Sequence, residues 1–227
     1  MDILYEDRDI LVVTKPAGLL TVSTDKARER TAYWLLTDYV RKGCAKSSNR
    51  VFIVHRLDRD TSGILVFAKT EEAKFRLQED WPRVEKTYLA IVHGHLEKPE
   101  GTISSYLAEN SAQVVYSTTD TTLGKLSHTA YRVVQEANGM SLLEIKLLTG
   151  RKNQIRVHLA DAGHPVVGDT KYGRKNDGHK RLGLHARTLA FKHPFNGKPL
   201  FFESPPPPHF RSTRAGQLPD SDASAKT

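Results

Sequence analysis

VFIVHRLDRDTSGILVFA, residues 51–68, sets a dense polar segment between two apolar runs. Val51 to Val54 and Ile64 to Ala68 are rich in β-branched and aromatic residues and too short for helices. They read as strands, with HRLDRDTSG as the loop between them. Charges set so tightly among core strands must be paired, solvated or functional, because an unpaired buried charge is costly. Three site chemistries and one plain hairpin loop with surface ion pairs compete for this segment. A calcium loop would use Asp58, Asp60, Ser62 and Gly63, but its closing bidentate Glu is Lys69 here, and strands stand where helices should flank it. A Mg-dependent aspartyl phosphatase would use Asp58 and Asp60, although His55 and Arg56 interrupt the strand that should deliver the first carboxylate.

Working outward, EDRDILVVTKPAG before this segment predicts a strand over Ile10 to Thr14 and a Pro-Gly turn at Pro16 to Gly18. Ala32, Leu35, Leu36, Tyr39 and Val40 fall on one helical stripe that Gly43 should end. Beyond the loop, Ala73, Leu77 and Trp81 mark a short helix that Pro82 should stop. From Lys86 to Thr149 five β-rich runs separated by turn residues predict a mainly antiparallel sheet. A helix from Asn153 carries Ile155, Leu159 and Ala162 on its apolar side, with Gly163 as its stop. Two further strands, LGLHARTLAF and PLFFE, follow before four prolines at 205–208. The reading is a single α+β domain over residues 1–210, and a polar, disordered tail over 211–227.

Composition narrows the function classes. The chain has 227 residues, 38% hydrophobic and 26% charged, with a net charge of +8. That excess favours a polyanionic partner such as nucleic acid. No apolar run reaches the roughly 20 residues of a spanning helix, and MDILYEDRDI is acidic where a signal peptide is basic. A cytoplasmic protein is expected. Cys44 stands alone, which excludes an internal disulfide and a multi-cysteine zinc site. The sequence contains no GxGxxG, GxxxxGK or HExxH, so dinucleotide, P-loop and zinc-protease chemistry lack their motifs.

HRLDRDTSGILVFAK at 55–69 resembles the signature of the RluA-type pseudouridine synthases. Three more segments accompany it in order: VTKPAG at 13–18, EKTYLAIV at 85–92 and TGRKNQIRVHLADAGHPVVGDTKYG at 149–173. The resemblance implies a mixed, mainly antiparallel sheet flanked by a few helices, with a central cleft that isomerises uridine in RNA without metal or organic cofactor. It makes Asp58 the nucleophile, Arg156 its cation, and Tyr88 the ring stacked on the target base, assisting proton transfer. Remaking a glycosidic bond without hydrolysis needs a carboxylate at the sugar, and a carboxylate in a closed pocket needs a cation to stay ionised. Arg156 lies off the apolar stripe and is free to face a cleft.

Arg56 precedes Asp58 by two, so both point to one face of an extended segment, and Arg56 suits the gap that a flipped base leaves. His55, Arg151 and Lys15 complete the substrate-binding candidates, the last two as phosphate contacts on turns rimming the cleft. Many members carry His where this chain has Asn153, and no role of that His is carried over. VTKPAG begins at residue 13, so the small N-terminal RNA-binding domain of many members is expected to be missing. Expected partners are ribosomal or transfer RNA, with no membrane and no obligatory protein partner, for a monomer. A non-catalytic RNA-binding protein is the alternative outside enzymology.

Overall fold

The computed structural model describes residues 1–23, 31–44 and 46–210. Among these, eleven strands join in one mixed sheet flanked by three α-helices. β1 (Ile3–Glu6), β2 (Ile10–Lys15), β3 (Phe52–Ile53) and β4 (Ser62–Ala68) form one end. β5 (Glu85–His93), β6 (Glu100–Glu109), β7 (Val115–Thr118), β8 (Lys125–Ala137) and β9 (Met140–Leu147) form the antiparallel remainder, as the sequence predicts. β10 (Leu184–Lys192) bridges the two parts, and β11 (Pro199–Glu203) pairs with it. The order is β1-β2-β4-β10-β5-β9-β8-β6-β7, and only the β4–β10 pairing is parallel.

β2 and β4 are buried on both faces, which is why they read as continuous apolar runs. Leu11, Val13, Leu65 and Phe67 pack toward α1 (Ala32–Arg41) and α3 (Gln154–Asp161). Ile10, Val12, Ile64 and Val66 pack toward α2 (Glu71–Asp80). Thr31 and Thr70 cap α1 and α2 by accepting from Trp34 N–H and Ala73 N–H, each at 3.1 Å. At the β8–β9 hairpin, Asn138 and Gly139 both take positive φ, the mirror-image turn whose twist matches the strands.

Three expectations are corrected. Leu35 and Tyr39 of α1 are exposed at 39% and 46%, because the helix buries only the narrower face of Ala32, Leu36, Thr37 and Val40. Its left-handed cap is Lys42, one residue ahead of Gly43. α2 ends at Asp80, and Trp81–Arg83 forms a 3-10 turn that accommodates Pro82 at its start. Phe210, 2% exposed, packs beside Leu89, Ile91, Leu142 and Val167. The expectation for residues 211–227 lies outside the described residues.

One lateral row of the sheet positions the site. Ala186 of β10 pairs with Gly63 on one side and with Tyr88 of β5 on the other. Gly63 has φ +114°, and a Cβ there would stand 2.1 Å from the Ala186 carbonyl oxygen. Only glycine permits that approach. The segment ending in Gly63 is thereby brought within two strands of Tyr88.

Candidate active site

The 54–61 segment, the start of β5, the end of β9 and the turn leading into α3 enclose a cleft with a cavity of about 260 Å³. Six of the seven predicted site residues, all but Lys15, line it: His55, Arg56, Asp58, Tyr88, Arg151 and Arg156. They come from positions up to about a hundred residues apart, so only the fold brings them together.

Asp58 is the centre of the polar network. Its Oδ2 accepts from Arg156 Nη1 at 3.1 Å and from Asn153 Nδ2 at 2.6 Å. Arg156 is 7% exposed and gives its Nε and Nη2 to the two oxygens of Asp169, both at 2.7 Å. This two-pronged pairing fixes the guanidinium plane. Burial opposes the charge on Arg156, but the Asp169 and Asp58 carboxylates outweigh it and raise its pKa. Burial likewise opposes ionisation of Asp169, and Arg156 together with the Lys171 and Tyr172 backbone N–H groups holds its pKa down. The Tyr172 ring lies 5.2 Å from the Arg156 guanidinium carbon, a further cation contact.

Tyr88 is 8% exposed and faces the same cleft. Burial, and then the charge of Asp58, push its pKa up. At neutral pH it carries an O–H rather than a phenolate, so in the free protein it can donate a hydrogen bond and is not a base.

The remaining candidates divide. Arg56 and Arg151 are exposed on the rim. His55 lines the wall, stacked on Trp81 with ring centroids 4.3 Å apart, and its Nε2 accepts from Val66 N–H at 3.1 Å. Burial lowers its pKa to about 3, so it is a neutral wall residue with one nitrogen already engaged. Lys15 is a correction. It is 1% exposed, and its Nζ donates to the carbonyls of Pro16, Leu19 and Arg59 at 2.8–3.0 Å. Three protons spent on three carbonyls leave none for a phosphate; Lys15 ties the 16–19 turn to the Asp58 segment.

The phosphatase reading is also corrected. Asp60 is exposed and does not line the cleft, and Asp58 faces an arginine and an amide donor instead of the oxygen ligands a magnesium ion requires. Among the described residues the grouping able to hold a metal is Asp7, Asp9 and His193, away from this cleft. Sequence reasoning missed Asp169 and Tyr172 as site residues. Their signal was present in GDTKYG, inside the third segment, but nothing local shows which side chain they serve.

The RNA pseudouridylate synthase family model matches residues 9–161, a span that includes Asp58, Tyr88 and Arg156. The chain belongs to the RNA pseudouridine synthase family. It is 35% identical over 223 residues to an uncharacterized RNA pseudouridine synthase of Mycoplasma genitalium, covering 96% of this chain and 70% of that protein. It is 37% identical to ribosomal large subunit pseudouridine synthase D of Nitrosomonas europaea, covering 91% of this chain and 62% of that one. The dual-specificity RNA pseudouridine synthase RluA of Yersinia pestis is 36% identical, covering 89% of this chain and 98% of its own length. Among solved structures, human RNA pseudouridylate synthase domain containing 1 superposes with a TM-score of 0.74 at 28% identity, covering 93% of this chain and 86% of that one. This pseudouridine synthase thus spans nearly the whole of one curated relative and about two thirds of others.

Proposed function

We propose that this pseudouridine synthase converts uridine to pseudouridine in ribosomal or transfer RNA, at sites where the target nucleotide can leave its stack, and that it works in the cytoplasm as a monomer. The observation that carries the reading is the convergence of Asp58, Arg156 and Tyr88 on one cleft. Tyr88, 8% exposed, and Asp58 line the inside of the cleft, so a uridine reaches them by leaving its stack. The names of the relatives point to ribosomal RNA in one case and to dual specificity in another. The described residues contain no helix long and apolar enough to cross a membrane.

The chemistry balances within the substrate. When C1′–N1 breaks, the electron pair stays on uracil; when C5 bonds to C1′, C5 loses a proton and N1 gains one. Nothing is consumed. Asp58 supplies the carboxylate at the sugar, Arg156 holds it charged and oriented, and Tyr88 keeps the detached base facing the sugar. Arg56 stands on the rim two residues before Asp58, placed to fill the gap in the RNA stack.

Incubation with total RNA from cells lacking the gene, followed by pseudouridine mapping, tests the reading. Wild-type protein should create pseudouridine at defined sites, and Asp58→Asn should create none while binding RNA within a few-fold. Wild-type protein that binds RNA and leaves every uridine unchanged would leave only the scaffold reading.

A further inference from the structure

Asp58 is held asymmetrically. Both hydrogen bonds to its carboxylate, from Arg156 Nη1 and Asn153 Nδ2, end on Oδ2, and among the described residues none ends on Oδ1. The Asn153 amide is itself fixed at its other end. Tyr172 Oη accepts from Val115 N–H at 3.1 Å, so its one proton is free to go to Asn153 Oδ1 at 3.2 Å. A carboxylate only accepts and a phenol facing a carbonyl oxygen donates, so both ends require the same amide orientation. Asn153 also departs from the usual task of its position. It precedes α3 with φ +52° and makes no side-chain cap bond, its amide being spent on Asp58 and Tyr172. Asparagine tolerates that left-handed backbone better than most residues.

We infer that Asn153 is a positioning residue for the reaction: with Arg156 it pins Oδ2 and so selects Oδ1 as the Asp58 oxygen offered to the sugar, and Tyr172 sets the amide that does so. The inference rests on the pseudouridine synthase reading. It adds that the aim of the nucleophile is set by a group without a titrating proton, so the orientation of Asp58 does not change with pH through Asn153.

The test compares the wild type with four variants on one RNA carrying a mapped site. Asn153→Gly keeps the left-handed backbone at ease and removes only the amide. It should lower kcat about 100-fold, as expected for a misaimed reacting group, with KM for RNA and the melting temperature nearly unchanged. Tyr172→Phe keeps the ring against Arg156 and loses the hydroxyl, so Asn153 Oδ1 loses its donor and Val115 N–H its acceptor; the second loss falls on stability, and the first should lower kcat about tenfold, the worth of one neutral hydrogen bond. The double variant should fall no further than Asn153→Gly, because both act through one amide. Asn153→His restores an N–H donor and an acceptor for Tyr172, so it should recover most of the rate and gain an inflection between about pH 5 and 8 that the wild type lacks.

Wild-type kcat in Asn153→Gly, additive losses in the double variant, or a loss confined to KM and melting temperature would each overturn the inference. If wild-type protein forms no pseudouridine, the functional reading fails instead. Crystal structures of wild type and Asn153→Gly then decide the positioning claim: an Asp58 carboxylate unmoved by loss of the amide overturns it, and a turned one supports it.

Discussion

Asp169, whose side chain has no exposed surface, takes two of the guanidinium nitrogens of Arg156 and leaves Nη1 to Asp58. The cation beside Asp58 is thus anchored by a second carboxylate buried behind it. Asp169→Asn would leave Arg156 without its main counter-charge and set an amide N–H against a guanidinium. Removing one partner of a buried ion pair costs about 3–5 kcal/mol. Denaturant titration should show a loss of that order. Asp58→Asn, whose parent side chain is 19% exposed, should change stability by no more than about 1 kcal/mol. Equal losses in the two variants would show that Asp169 is no more an anchor than Asp58.

The elements were legible wherever a local pattern decides them: the β-rich runs between turn residues and the apolar runs of β2 and β4. That Asp58, Tyr88 and Arg156 share one cleft was legible through the motifs, and that Arg56 stands at the same cleft was legible through its spacing from Asp58. Lys15 was misread because a lysine beside a Pro-Gly turn looks exposed, whereas three converging carbonyls, one of them 44 residues away, draw it inside. Asp169 and Asn153 escaped because their meaning lies in partners distant in sequence; Asn153 meets Asp58 across 95 residues. Leu35 and Tyr39 carry helical periodicity without burial, since the pattern gives a face but not how much of it the sheet covers.

His55 makes stability depend on acid. Its folded-state pKa of about 3 lies below its ordinary value of 6.5. Between those values the unfolded chain binds the proton and the folded protein does not. Stability therefore falls as pH drops below 6.5 through this residue. Burial also lowers His158 and His185, which contribute in the same direction. Replacing His55 with Gln, which cannot titrate but can accept from Val66 N–H, should flatten the acid limb of a stability–pH curve measured by denaturant titration. An unchanged slope would mean that His55 already binds its proton in the folded state.

Lys15 and Arg151 should separate in salt titrations of RNA binding. Arg151 is exposed on the cleft rim, so Arg151→Ala should weaken all RNAs alike and flatten the slope of log K against log salt by about 0.7, one phosphate on a single strand. Lys15→Met should leave that slope alone and lower stability by about 1–3 kcal/mol, because buried carbonyls lose their donor. A flattened slope with unchanged stability in Lys15→Met would place its ammonium on the RNA after all.

Arg56 tests base flipping without touching the reacting groups. It is exposed at the mouth of the cleft, two residues from Asp58, and unlike Arg156 it holds no carboxylate in the described hydrogen-bond network. If its planar guanidinium fills the gap left by the uridine, Arg56→Ala leaves initial RNA contact intact but makes the flipped state dearer by the unstacking it no longer offsets, a few kcal/mol. Turnover at saturating RNA should then fall by at least about tenfold, with affinity and salt slope close to wild type. Arg56→Lys, which keeps the charge but loses the plane, should resemble Arg56→Ala rather than wild type. A fluorescent base analogue beside the target uridine separates the outcomes directly: the variants should show less unstacking signal at full occupancy, whereas a rim arginine that merely binds phosphate would leave that signal unchanged and lower affinity instead.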